Sequence, residues 1–153
     1  MPNSSFDSPS DSDEDRNLAD QTGLKESDLS KVLIVGKSQI NRVVVAKIVE
    51  RSGLKCESAI PEETAQKLVS SRPCLVILDG GADNRDCDGL MAALVDLRRV
   101  SAKDVPCVIL LTNRAGTPEG VQIGSPVDAV VAKPITPESL QPVIDRLLER
   151  VRR

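Results

Sequence analysis

Residues 74–80 read CLVILDG. Five apolar residues in a row, closed by an acid and a glycine, have the length of a strand and are too few for a helix of ordinary size. A strand with one wet face alternates apolar with polar residues, whereas a strand covered on both faces does not. The run therefore predicts a strand at 74–78 inside a parallel sheet, with helices above and below it. Asp79 is left standing at its carboxyl end.

The same signature recurs on either side. CVILL at 107–111 and VLIV at 32–35 are also continuously apolar. Strands are expected at 32–35, 55–59, 74–78, 106–111 and 128–132. Helical patterns lie between and after them, at 38–52, 61–71, 89–101, 116–122 and 136–152. The last is the clearest. Leu140, Val143, Ile144, Leu147, Leu148 and Val151 keep the i, i+3, i+4, i+7, i+8, i+11 spacing of one helix face. Thr136 supplies an N-cap for it, Pro137 a favourable first position, and Glu138 a negative charge at the positive end of the dipole. Pro142 falls inside and is expected to kink the first turns. Five βα units at this spacing make an open, doubly wound α/β sheet, whose ligands bind at the carboxyl ends of the strands.

Composition narrows the chemistry. The chain of 153 residues has no His, no Trp, no Tyr and one Phe. Without His there is no Ser-His-Asp triad, no His-ligated metal and no phosphohistidine on this chain. Without aromatic faces there is no stacking platform for single-stranded nucleic acid, and no nucleic-acid partner is expected. Cys56, Cys74, Cys87 and Cys107 form no CxxC pair, which argues against zinc. Cys74 and Cys107 read as buried thiols in a reducing compartment. The polar, acidic start does not resemble a signal peptide, and no apolar run has the length of a membrane span. A cytoplasmic location with no membrane association is expected.

Residues 1–30 differ from the rest. They carry eight acids against two bases, leaving fifteen acids and eighteen bases for residues 31–153. So little apolar area cannot offset the entropy of ordering, and a disordered acidic tail is expected at 1–30 ahead of one domain at 31–153. A solubilising tail is the plain reading; a tail that folds back on the mildly basic body or binds a partner is the sharper one.

The strand ends carry the chemistry. Gly36 and Lys37 follow the first strand, Asp79 the third, Thr112 the fourth, and Lys133 with Pro134 the fifth. Taken with KVLIVGKSQINRVV at 31–44, LVILDG at 75–80, the pair Asp88 and Gly89, ILLT at 109–112 and VAKPIT at 131–136, the chain resembles the receiver domain of bacterial response regulators. The resemblance covers about residues 31–151. It implies a flavodoxin-like sheet with strand order 2-1-3-4-5. It further implies that Asp79 accepts a phosphoryl group from a partner histidine kinase, while Thr112 and Lys133 bind the phosphoryl oxygens. Phosphoryl transfer is mostly positioning and charge neutralisation, which a hydroxyl and an ammonium supply in part.

The departures are as informative. The family holds Mg²⁺ with an acidic pair after the first strand, and here that pair is Gly36 and Lys37. Mg²⁺ requires oxygen ligands. With Asp79 the one remaining carboxylate of the set, at most a weak site is expected, and Lys37 is placed either against Asp79 or in solvent. Aspartates at both 36 and 37 are expected to restore the ion. Asp83, Asp86 and Asp88 in the long loop after the third strand are further carboxylates, and an acidic solvated loop is their plain reading. Asn84, Asp86, Asp88 and Gly89 imitate the start of a calcium loop, but its bidentate Glu would fall on Val95. Cys87 in the same loop reads as an incidental thiol. The aromatic that the family carries in the fifth strand is replaced by Val130.

Two functions follow. One is an atypical, single-domain receiver that signals through protein contacts, with weak or absent phosphorylation of Asp79. The other is a working phosphoacceptor with slow self-hydrolysis. An unrelated nucleotide-binding module lacks the Gly-rich loop it would need after the first strand. The partner expected is a histidine kinase or another two-component protein. No DNA-binding domain is seen, so output passes through that partner. A monomer or weak homodimer is expected.

Overall fold

A computed structural model of the chain describes residues 28–82, 85–101, 105–113 and 126–152. Its elements in chain order are β1 (Asp28–Val35), α1 (Gln39–Glu50), β2 (Lys55–Ala59), α2 (Pro61–Ser71), β3 (Pro73–Asp79), a 3₁₀ turn (Asp88–Leu90), α3 (Met91–Arg99), β4 (Cys107–Thr112), β5 (Ala129–Ala132) and α4 (Pro137–Arg152). The five strands form one parallel sheet in the order β2-β1-β3-β4-β5. The reversal in strand order lies between β1 and β3, at the sheet's centre.

Strand alternation divides the core in two. Val32, Ile34, Leu75, Ile77, Ile109 and Leu111 face α1 and α4, whose Val45, Ile48, Val49, Leu140, Ile144 and Leu148 cover them. Leu33, Val35, Val76, Leu78, Val108 and Leu110 face the opposite way, toward Leu68 of α2 and Leu90, Leu94 and Leu97. Every residue of β3 and β4 is buried, as their unbroken apolar runs require.

Several boundaries differ from expectation. β1 begins at Asp28, inside the segment read as tail, because Leu29 packs on the first core layer and Asp28 comes level with Pro73. Residues 1–27 lie outside the described residues, as does the helix expected at 116–122. The helix expected at 89–101 is a 3₁₀ turn followed by α3, with Cys87 buried just before the turn. α4 continues through Pro142 from Pro137 to Arg152 as one helix. Its start is fastened reciprocally: the Ser139 N–H donates to Thr136 Oγ1 and the Thr136 N–H to Ser139 Oγ, each at 3.1 Å.

At the amino ends of β4 and β5, Asp128 accepts from the Val108 N–H at 2.8 Å and pairs with Arg98 of α3 and Arg150 of α4, both at 3.3 Å. One carboxylate thus ties a helix on each face to the sheet. The site lies at the other end.

Candidate functional site

β3 extends one residue beyond its apolar run, so Asp79 is the last residue of the strand, level with Leu111 of β4. Thr112 likewise ends β4, buried and level with Ala132. Its carbonyl accepts from the Lys133 N–H at 2.7 Å, which fixes the backbone of Lys133 beside it. Asp79 and Lys133 meet directly: Lys133 Nζ lies 2.5 Å from Asp79 Oδ1. The Asp79 side chain retains 6% of its exposure, so this is a buried ion pair rather than a surface contact.

Two further donors complete the coordination of the carboxylate. The Gly81 N–H reaches Oδ1 at 3.0 Å, and the Asn41 side-chain amide reaches Oδ2 at 2.9 Å. Burial by itself pushes the Asp79 carboxyl up. The hydrogen bonds from Lys133, Gly81 and Asn41, together with the Lys133 charge, outweigh it and hold the group below the ordinary carboxylate value.

Asn41 was not anticipated. It is the third residue of α1, and its N–H donates to the N-cap Ser38 Oγ at 3.2 Å. Arg42, next to it, donates to the Gly36 carbonyl at 2.5 Å. The first turn of α1 is thereby tied to the end of β1, and position 41 is turned over the end of β3. A Ser capping residue three positions before a polar side chain, just after a strand, was the available signal.

The loop after β3 is held in the same fashion. Asn113 donates to the carbonyls of Gly81 and Ala82 at 2.7 and 2.8 Å, and the Asp86 N–H to the Gly80 carbonyl at 3.0 Å. Gly81 has φ +76°, and a Cβ there would fall 2.0 Å from Asp86 Oδ2. Only glycine fits.

Lys37 does not pair with Asp79. It points to Asp86, 3.6 Å away, and stays largely exposed. Asp86 is thus engaged by a lysine, Asp88 is exposed at the head of the 3₁₀ turn, and Asp83 lies outside the described residues. Cys87 is buried, and its thiol donates to the Asp79 carbonyl at 3.4 Å. Burial first, then the negative charges of Asp79, Asp86 and Asp88, push that thiol up to about 12, so it is no nucleophile at neutral pH. Val130 is half-buried on the layer that α3 covers.

These residues do not fit the Mg²⁺ of the resemblance. Gly36 has no side-chain ligand and no room for one, since a Cβ there would lie 2.9 Å from the Asp79 Cβ. The expectation that aspartate at 36 restores the ion therefore meets a steric obstacle. Lys37 is directed elsewhere, and both oxygens of Asp79 already accept from nitrogen donors. Among the described residues no three His, Cys, Asp or Glu side chains are grouped to share a metal ion.

No protein-family model and no curated protein matches the chain. Solved structures do. The chemotaxis response regulator CheY4 of Vibrio cholerae is 22% identical over 80% of this chain and 99% of its own, with a TM-score of 0.60. A CheY-like receiver domain from Methanospirillum hungatei is 20% identical over 82% and 98%, at 0.65. The signal receiver domain of a histidine kinase from Syntrophus aciditrophicus is 26% identical over 81% and 93%, at 0.64. With its strand order and its alternation of helices across the sheet, the chain has the CheY-like receiver fold.

Proposed function

We propose that this protein is an atypical receiver in two-component or phosphorelay signalling, which acts through contacts with a histidine kinase or another signalling protein and undergoes little or no phosphorylation at Asp79. The observation that carries this reading is the state of the carboxylate. Asp79 lies where a phosphoacceptor would, but Lys133, Asn41 and Gly81 donate to its oxygens, and among the described residues no three His, Cys, Asp or Glu side chains are grouped to hold a cation. An acceptor of phosphoryl groups needs an oxygen free for attack and a counter-charge for the incoming group.

An exposed apolar surface on the same helix supports this reading. Ile40, Val43 and Val44 of α1 are 75%, 48% and 42% exposed, a stripe at i, i+3, i+4 that begins beside Asn41. No helix among the described residues is long and apolar enough to cross a membrane. A cytoplasmic location accords with the buried thiols of Cys74, Cys87 and Cys107.

Retention of Asp79, Thr112 and Lys133 at adjoining strand ends is what favours the second reading, a working phosphoacceptor. The test is incubation with acetyl phosphate and Mg²⁺, followed by mass measurement of the intact chain. Little or no added phosphoryl mass is expected. Substantial modification that disappears in Asp79→Asn establishes the second reading instead.

A further inference from the structure

We propose that position 41 decides what Asp79 is paired with: as an amide, Asn41 completes a carboxylate clamp that works without metal, and as a carboxylate the same position would complete a divalent-cation site. This rests on the reading of Asp79 given above and names the residue behind it.

The geometry is specific. Asn41 Nδ2 lies 2.9 Å from Asp79 Oδ2, the oxygen that Lys133 leaves alone. An amide turned the other way would set its oxygen against a carboxylate oxygen, so the donor orientation follows from the partner's charge. Glycine at 36 lets the end of β1 lie close against Asp79, since a Cβ there would fall 2.9 Å from the Asp79 Cβ. Asn41 is not free to drift. The Ser38 cap holds its backbone, and Arg42 ties the next residue to the Gly36 carbonyl. The charge that acts on Asp79 is that of Lys133 from the end of β5, while Lys37 from the end of β1 is turned to Asp86 of the loop.

In that setting a neutral donor and a carboxylate have opposite consequences. Asn41 adds a hydrogen bond and no charge, leaving Asp79 balanced by Lys133. A carboxylate at 41 would stand about one hydrogen-bond length from Oδ2. Two ionised carboxylates at that spacing repel each other and are relieved by a shared cation with hard oxygen ligands. Position 36 cannot serve, because it has no room, and position 37 faces away.

The experiment uses the full chain, labelled with ¹⁵N, titrated with MgCl₂ at mildly alkaline pH where both carboxylates are ionised. In the parent protein the amide signals of Gly36, Gly80 and Gly81 should not move. In Asn41→Asp they should shift saturably and return on adding a chelator. Asn41→Ala should stay unresponsive, and Asn41→Asp combined with Asp79→Asn should lose the response. Independently, the side-chain amide protons of Asn41 should shift in Asp79→Asn without any magnesium, which tests the contact even where an aspartate at 41 prevents folding. Saturable binding of Mg²⁺ by the parent, a folded Asn41→Asp that ignores the ion, or Asn41 amide protons indifferent to Asp79→Asn would each overturn the proposal. Modification of the parent by acetyl phosphate would overturn the proposed function while leaving this inference standing, so the two fail separately.

Discussion

Gly36→Ala adds one carbon where the structure has no space for it. The new Cβ would lie 2.9 Å from the Asp79 Cβ, whereas carbon atoms in contact settle at roughly 3.5–4.0 Å. Something must yield by about 0.5–1 Å. Asp79 is poorly placed to yield: β3 is paired on both sides, and its carboxylate is held by Lys133, Asn41 and Gly81. Overpacking of this kind costs about 1–3 kcal/mol. In a domain of this size each kcal/mol lowers Tm by roughly 2–4 °C, so a fall of roughly 2–12 °C is expected by differential scanning calorimetry. Gly89→Ala is the control, since a Cβ there meets nothing within 4 Å; it should melt within about 0.5 kcal/mol of the parent. The partner is identified by a double-mutant cycle. Asp79→Ala keeps the offending Cβ and should not relieve Gly36→Ala. Asp79→Gly removes it, and in that background the alanine should cost less than about 0.5 kcal/mol. If Gly36→Ala melts with the parent, or costs as much against glycine at 79 as against aspartate, the close approach of the β1 and β3 ends is wrong.

Two further perturbations test the electrostatics. The native Asp79 carboxyl is held below its ordinary value, so its contribution to stability is complete above the unfolded carboxylate pKa of about 3.9 and is lost as pH falls through that value toward the native one. Asp79→Asn should therefore cost about 1–3 kcal/mol at neutral pH in urea melts, with the deficit shrinking on acidification below about pH 4; a deficit constant with pH contradicts the ion pair with Lys133. Asp128→Ala removes the acceptor of the Val108 N–H and the shared partner of Arg98 and Arg150, and should lower stability by about 2–4 kcal/mol with an unchanged denaturant slope. A loss under about 0.5 kcal/mol would show the three contacts to be incidental.

What could be read from the chain alone was what depends on neighbours in sequence. CLVIL and CVILL are buried strands because nothing polar interrupts them, and α4 is a helix because its apolar residues keep one face. Asp79, Thr112 and Lys133 were legible as strand-end residues for the same reason. Asn41 was not, because its partner is 38 residues away and the contact depends on how a capped helix turns back over the sheet. The steric closure at Gly36 was hidden likewise: a missing side chain reads as a missing ligand, while the filled space beside it belongs to β3. Lys37 was expected either against Asp79 or in solvent; it is largely exposed, and its contact with Asp86 was not legible because Asp86 is positioned by the hydrogen bond of its N–H to the Gly80 carbonyl. The start of β1 was missed because Asp28, Leu29 and Ser30 are mostly polar, and strand pairing rather than apolar content extends the sheet to them.

The exposed stripe of Ile40, Val43 and Val44 and the clamp on Asp79 share one helix, and this makes them linked variables. A partner that favoured another setting of α1 on the sheet would change the strength of the Asn41–Asp79 bond. Reciprocity then requires that whatever strengthens or breaks that bond alters the partner's affinity by the same factor. Under the function proposed above, a chain of this fold would report on its strand-end site without chemistry taking place there, because the lever is the helix and its fulcrum the cap at Ser38.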